Sequence, residues 1–235
     1  MPTVRAGPVI GLIVQIILLA ILATTVGLGV AGWMTGAAYG LITCAALTRA
    51  LYGVRIGGFG PADWVTLTRA MLVGCVAALT ADSFHRSGSV EVLVAIAIVA
   101  LVLDALDGQV ARRTGSASGL GARFDMEVDA FLILVLSVYV ARSMGAWVLA
   151  IGAMRYAFVV ASWAVRWMRG PVPQRFWAKV VAATQGVVLV FAAADVLPAP
   201  QMVAALAVAL ALLVESFGRD IVWLRQHRVV EPVAG

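Results

Sequence analysis

The chain has 235 residues, of which 63% are hydrophobic and only 12% charged, and its mean hydropathy is +1.01. A water-soluble domain of this length needs far more charge to cover its surface, so the composition places the protein among polytopic membrane proteins. The formal charge of +5 reads as membrane topology with some attraction to anionic lipid headgroups, and gives no sign of a nucleic-acid partner. Cys44 and Cys75 sit in apolar stretches without companion cysteines or histidines, so neither a disulfide framework nor a zinc site is indicated.

Apolar spans run over about residues 9–32, 34–54, 66–82, 88–108, 120–141, 145–167, 177–196 and 199–217, each near the length that crosses a bilayer. Eight helices in one all-α bundle are therefore expected. The prolines at 2, 8, 61, 171, 173, 198, 200 and 232 fall outside these spans or at their edges, where helix breakers belong. The first span is longer than the apolar region of a signal peptide and no small-residue cleavage site follows it, so it reads as a membrane helix. The second is interrupted near its end by Thr48, Arg49 and Tyr52. Gly36 and Gly40 are spaced to let helix backbones approach.

Between the second and third spans lies RIGGFGPADWVTLTRAML. Paired glycines, Pro61 and Trp64 suit a short helix lying in the membrane interface, with the indole at headgroup depth. With the N-terminus cytoplasmic, Arg5, Arg49, Arg55, Arg69, Arg112, Arg113, Arg123, Arg166, Arg169, Arg175, Lys179, Arg219, Arg225 and Arg228 all fall on the cytoplasmic side. Only Arg86 and Arg142 then lie outside, and Arg155 sits within a span. This positive-inside bias predicts both termini in the cytoplasm, in the cell membrane.

The chemistry-bearing stretch is LVLDALDGQVARRTGSASGLGARFDMEVDA, residues 101–130. It holds Asp104, Asp107, Asp125 and Asp129, four of only twelve acidic residues in the chain. An ionised carboxylate at the centre of a spanning helix costs about 2.5–3.5 kcal/mol on insertion scales, so four together require a cationic partner. Asp104 and Asp107 are three apart and Asp125 and Asp129 four apart, so each pair shares a helix face. The turn around TGSASG makes the two helices antiparallel neighbours, and their acidic faces can then oppose each other. The product is an all-oxygen pocket suited to one or two Mg²⁺ or Mn²⁺ ions. Gly108, Ala111 and Gly121 leave room beside it for a bulky ligand such as a nucleotide, and Arg112 with its neighbours Arg113 and Arg123 can pair with phosphate oxygens.

The positions Asp104, Asp107, Gly108, Ala111, Arg112, Gly121, Asp125 and Asp129 together resemble, without a departure in residue or spacing, the D-x2-D-G-x2-A-R-x8-G-x3-D-x3-D signature of the CDP-alcohol phosphotransferase (CDP-alcohol phosphatidyltransferase) family. Upstream, Asp63, Thr66 and Arg69 resemble that family's Asn-x2-Thr-x2-Arg at the start of its first core helix, with Asp in place of Asn. Downstream, Lys179 and Gln185 resemble the start of the fifth core helix of phosphatidylglycerophosphate-synthase-like members, where Val181 and Ala182 replace the usual Lys and Thr.

The resemblance implies a six-helix core preceded by the interfacial helix, here residues 58–235, and a homodimer embedded in membrane lipid; the two transmembrane helices in residues 1–57 are additional, and the signature does not extend to them. It implies transfer of a substituted phosphate group from a CDP-linked lipid donor, such as CDP-diacylglycerol, to an alcohol or phosphorylated-alcohol acceptor, with release of CMP. Asp104, Asp107, Asp125 and Asp129 would hold the metal, with Asp129 as an alternative general base. Gly108, Ala111, Arg112, Gly121 and Thr66 would contact the donor. Arg155, Arg166, Arg175 and Lys179 are the candidate acceptor contacts, and Arg155 has a second reading in which it snorkels or pairs with a buried carboxylate. Intramembrane carboxylates also mark ion paths, so an ion or proton transporter is the alternative class. That class leaves the glycine and arginine spacing unexplained, and the intact signature argues against an inactive scaffold.

Overall fold

A computed structural model describes residues 3–53, 61–86, 88–114, 119–170, 172 and 175–227, with the side chains of 3–6, 52–53, 61–62, 106–114, 119–120, 166 and 169 left outside the description. The described residues form an all-α bundle of eight α-helices without a strand: α1 (Thr3–Thr25), α2 (Val30–Gly53), α3 (Pro61–Asp82), α4 (Val90–Thr114), α5 (Gly119–Met144), α6 (Leu149–Ala164), α7 (Phe176–Ala193) and α8 (Ala199–Gln226). Short 3-10 turns at Ala146–Val148 and Arg166–Arg169 flank α6. Six helices are long and apolar enough to cross a membrane, namely α1, α2, α3, α6 (with the turn before it), α7 and α8. The other two, α4 and α5, span 25 and 26 residues and carry the aspartates. The protein is an integral membrane protein.

Several boundaries differ from the hydropathy reading, each for a local reason. Hydrophobicity continues through Val26–Val30, but α1 ends at Thr25 because Gly27 takes φ 74°, a left-handed conformation that terminates helices. Pro8 lies inside α1 rather than at its edge, since the helix already starts at Thr3. The last helix runs on to Gln226, past Glu215, Arg219, Asp220 and Arg225, because helical backbone continues where the chain leaves the apolar layer. The expected interfacial helix falls on residues 54–60, outside the described residues, and on Pro61–Trp64, which form the first turn of α3. Proline suits that opening position, where its missing N–H has no helical partner to lose.

α3 is the hub. It packs against α1, α2, α4 and α5, and 72% of its apolar span is buried, against 17–39% of the other spans. Small residues make the close approaches possible. A Cβ on Gly74 of α3 would stand 2.8 Å from the Gln15 amide and from the Tyr39 ring, and one on Gly36 of α2 would stand 2.6 Å from Leu19. Across α3, Tyr39 of α2 stacks on Phe131 of α5 with ring centroids 4.8 Å apart. The α1–α2 hairpin is also fastened at the end of the bundle opposite the aspartates. There the Gly29 N–H donates to Asp82 Oδ1 at 3.0 Å and Arg86 donates to the Gly27 carbonyl at 2.6 Å, while Arg142 of α5 donates to Ser83 Oγ, just beyond α3, at 2.6 Å.

Candidate active site

The third turn of α3 carries Arg69, whose side chain is fully buried although a guanidinium cannot shed its charge. Burying such a group requires close anionic partners. They come from the two helices that pack beside α3. Asp104 of α4 accepts from Nη1 at 2.5 Å, and Asp129 of α5 lies 2.9 Å from Nη2. Asp125, one turn before Asp129, pairs with Nη2 through Oδ1 and also accepts there through its backbone carbonyl at 3.2 Å. One guanidinium thereby gathers carboxylates from two helices, and its planar fork can serve several oxygens at once.

Carboxylate oxygens of Asp104, Asp125 and Asp129 lie within 4.8 Å of one another. Each of these side chains is about one-third exposed, at 39%, 33% and 38%, so the cluster is closed by Arg69 on the protein side and open on the other. Hard oxygen donors from two rigid helices with solvent access fit a Mg²⁺ or Mn²⁺ ion. Asp107 lies three residues beyond Asp104 on α4, with Gly108, Ala111 and Arg112 following on the same helix; their side chains lie outside the described residues.

The other candidates divide. Thr66 is buried one turn before Arg69, on the same helix. Gly121 is in the first turn of α5, one turn before Asp125. Arg155 of α6 reaches α5, with Nη2 2.5 Å from Glu127 Oε1. That partner is 56% exposed, which differs from the buried carboxylate of the sequence reading. Arg175 stands 3.9 Å from Asp220 of α8, and Lys179 is exposed on α7. Among the described residues neither forms an ion pair with the three aspartates. Arg166 lies in the 3-10 turn after α6, its side chain outside the described residues.

Two participants escaped the sequence reading. The sequence calls for a cationic partner among the carboxylates, which a metal or Arg112 would supply; Arg69, visible in the Thr-x2-Arg pattern, is the one the structure places there. Glu127 gave no signal beyond its place between Asp125 and Asp129.

The family model for CDP-alcohol phosphatidyltransferase matches residues 60–214. Neither the curated proteins nor the solved structures yield a match. The family match takes in α3 through most of α8 and includes every residue of the aspartate cluster together with Arg69. The chain belongs to the CDP-alcohol phosphatidyltransferase family, membrane transferases that move a phosphatidyl group from a CDP-linked donor.

Proposed function

We propose that this protein is a divalent-metal-dependent transferase that moves the phosphatidyl group of CDP-diacylglycerol onto an alcohol in phospholipid biosynthesis. The convergence of Asp104, Asp125 and Asp129 within 4.8 Å inside the family-matched region carries this reading. Asp104, Asp107, Asp125 and Asp129 are the residues that would hold Mg²⁺ or Mn²⁺. The ion supplies charge neutralisation at the phosphoryl oxygens and at the leaving CMP.

The chain's own groups do the rest. Asp129, partly exposed like the other two aspartates, accepts the proton of the incoming hydroxyl if it is not taken up as a ligand. The acceptor oxygen bonds to the lipid-side phosphorus as the bond from that phosphorus to CMP breaks. The products are a phosphodiester and CMP. Gly108, Ala111 and Gly121 leave space for the nucleotide, Arg112 orients phosphate, and Thr66 contributes from α3. Arg155, with Arg166, Arg175 and Lys179 around the same end of the bundle, favours a phosphorylated acceptor.

The basic residues at that end support a cytoplasmic active site in the cell membrane. Residues 58–235 are assigned as the catalytic core and 1–57 as a hairpin added to it, and the family resemblance implies a homodimer. Incubating the purified protein with CDP-diacylglycerol and single acceptors (glycerol phosphate, inositol phosphate, serine or a second lipid), with products identified by mass spectrometry, tests the assignment. A new phosphodiester with one of the phosphorylated acceptors is expected, and CMP-linked hydrolysis alone contradicts it.

A further inference from the structure

Arg69 touches the same three carboxylates that a metal would need. Its contacts fall on Oδ1 of Asp104, Oδ1 of Asp125 and Oδ1 of Asp129, the carboxylates that stand within 4.8 Å of one another. Apart from the Asp125 backbone carbonyl, these oxygens are its partners. Among the described residues its Nε is buried with no acceptor. The guanidinium is thus anchored by the cluster itself, and any ion that claims those oxygens loosens it.

We propose that Arg69 is a built-in counter-cation that competes with the divalent ion for Asp104, Asp125 and Asp129. It holds the carboxylates of α4 and α5 together while no ion is bound, when like charges at membrane depth would otherwise drive them apart. It also keeps metal affinity low. The inference rests on reading the aspartates as the metal site, and it assigns Arg69 a positioning role rather than contact with the reacting atoms.

The test is Mn²⁺ binding to the full-length protein in detergent without nucleotide, followed by electron paramagnetic resonance, for wild type, Arg69→Gln and Arg69→Lys. Repulsion between a unit charge and a divalent ion a few ångströms apart exceeds 1.4 kcal/mol even at the dielectric of water, or ~10-fold in affinity. Arg69→Gln is therefore expected to bind Mn²⁺ at least ~10-fold tighter than wild type. Guanidinium ion at millimolar concentration should weaken that binding again. Arg69→Lys, which keeps the charge, should stay within about threefold of wild type.

If Arg69→Gln lacks native helicity without metal, the Mn²⁺ concentration that restores its circular dichroism is read instead and should lie below the wild-type Kd. Equal or weaker Mn²⁺ binding by folded Arg69→Gln, or failure of any Mn²⁺ concentration to restore it, overturns the proposal. Saturable Mn²⁺ binding to wild type without tightening in the variant removes the competition and leaves the metal site standing. No saturable binding in any variant, even with CDP added, removes the metal site as well.

Discussion

Arg155 Nη2 lies 2.5 Å from Glu127 Oε1, which ties α6 to α5 at the residue midway between Asp125 and Asp129. The pair lies at the surface of the bundle, with side-chain exposures of 32% and 56%, and a surface ion pair contributes less than about 1 kcal/mol to stability. A group that stabilises so little is free to serve a ligand. Arg155→Ala should therefore leave the unfolding temperature nearly unchanged while raising the KM of a phosphorylated acceptor by ~10- to 100-fold, the worth of a charge-assisted hydrogen bond. The KM of the CDP donor should not move. Steady-state kinetics with each substrate varied in turn, beside a thermal melt, checks the split; a stability loss with unchanged acceptor KM contradicts it.

At the far end of the bundle, Asp82 is 6% exposed and accepts from the Gly29 N–H at 3.0 Å. Asp82→Ala removes the acceptor of a charge-assisted bond and should destabilise the protein by about 1–3 kcal/mol. Because the site lies at the opposite end, CMP release below the unfolding temperature should keep the wild-type kcat. Faster hydrogen exchange at Gly29 locates the loss in the α1–α2 turn.

Packing around α3 supports a contrast between two glycines. At Gly74 a side chain would meet Gln15 and Tyr39 at 2.8 Å, whereas at Gly218 of α8 nothing lies within 4 Å. Gly74→Val should cost about 1–3 kcal/mol through overpacking and loosen the hairpin from α3. Gly218→Ala should stabilise by roughly 0.5–1 kcal/mol, because it removes backbone freedom from the unfolded chain without a clash. Thermal unfolding of both variants in the same detergent shows whether the signs are opposite.

The helix count and the acidic cluster were legible in the sequence because both rest on local spacing. Asp104 with Asp107, and Asp125 with Asp129, declare a shared helix face within one turn. The end of α1 was not legible, since hydropathy runs unbroken through Val26–Val30 and the decision lies with the φ of Gly27 and the reach of Asp82 to Gly29. The extension of α8 was hidden for the opposite reason: Glu215, Arg219 and Asp220 look like the end of a span, yet the helix outlasts the apolar layer. Arg69 was visible as part of a motif, but its nearest partner in the chain stands 35 residues away, a separation that no periodicity records. Glu127 was hidden in the same way, because its partner Arg155 belongs to the next helix.

The central claim is that the aspartates of α4 and α5 bind a hard cation and transfer a lipid phosphate from a CDP donor. Release of CMP from CDP-diacylglycerol, measured on purified protein with acceptor present in Mg²⁺, in Mn²⁺ and in excess chelator, tests it most directly. The account predicts release in either metal, none in chelator, and a loss of ~10³-fold or more in Asp107→Asn and in Asp129→Asn, in keeping with removal of a metal ligand or general base. CMP release that survives chelation, or that persists undiminished in both variants, would contradict it.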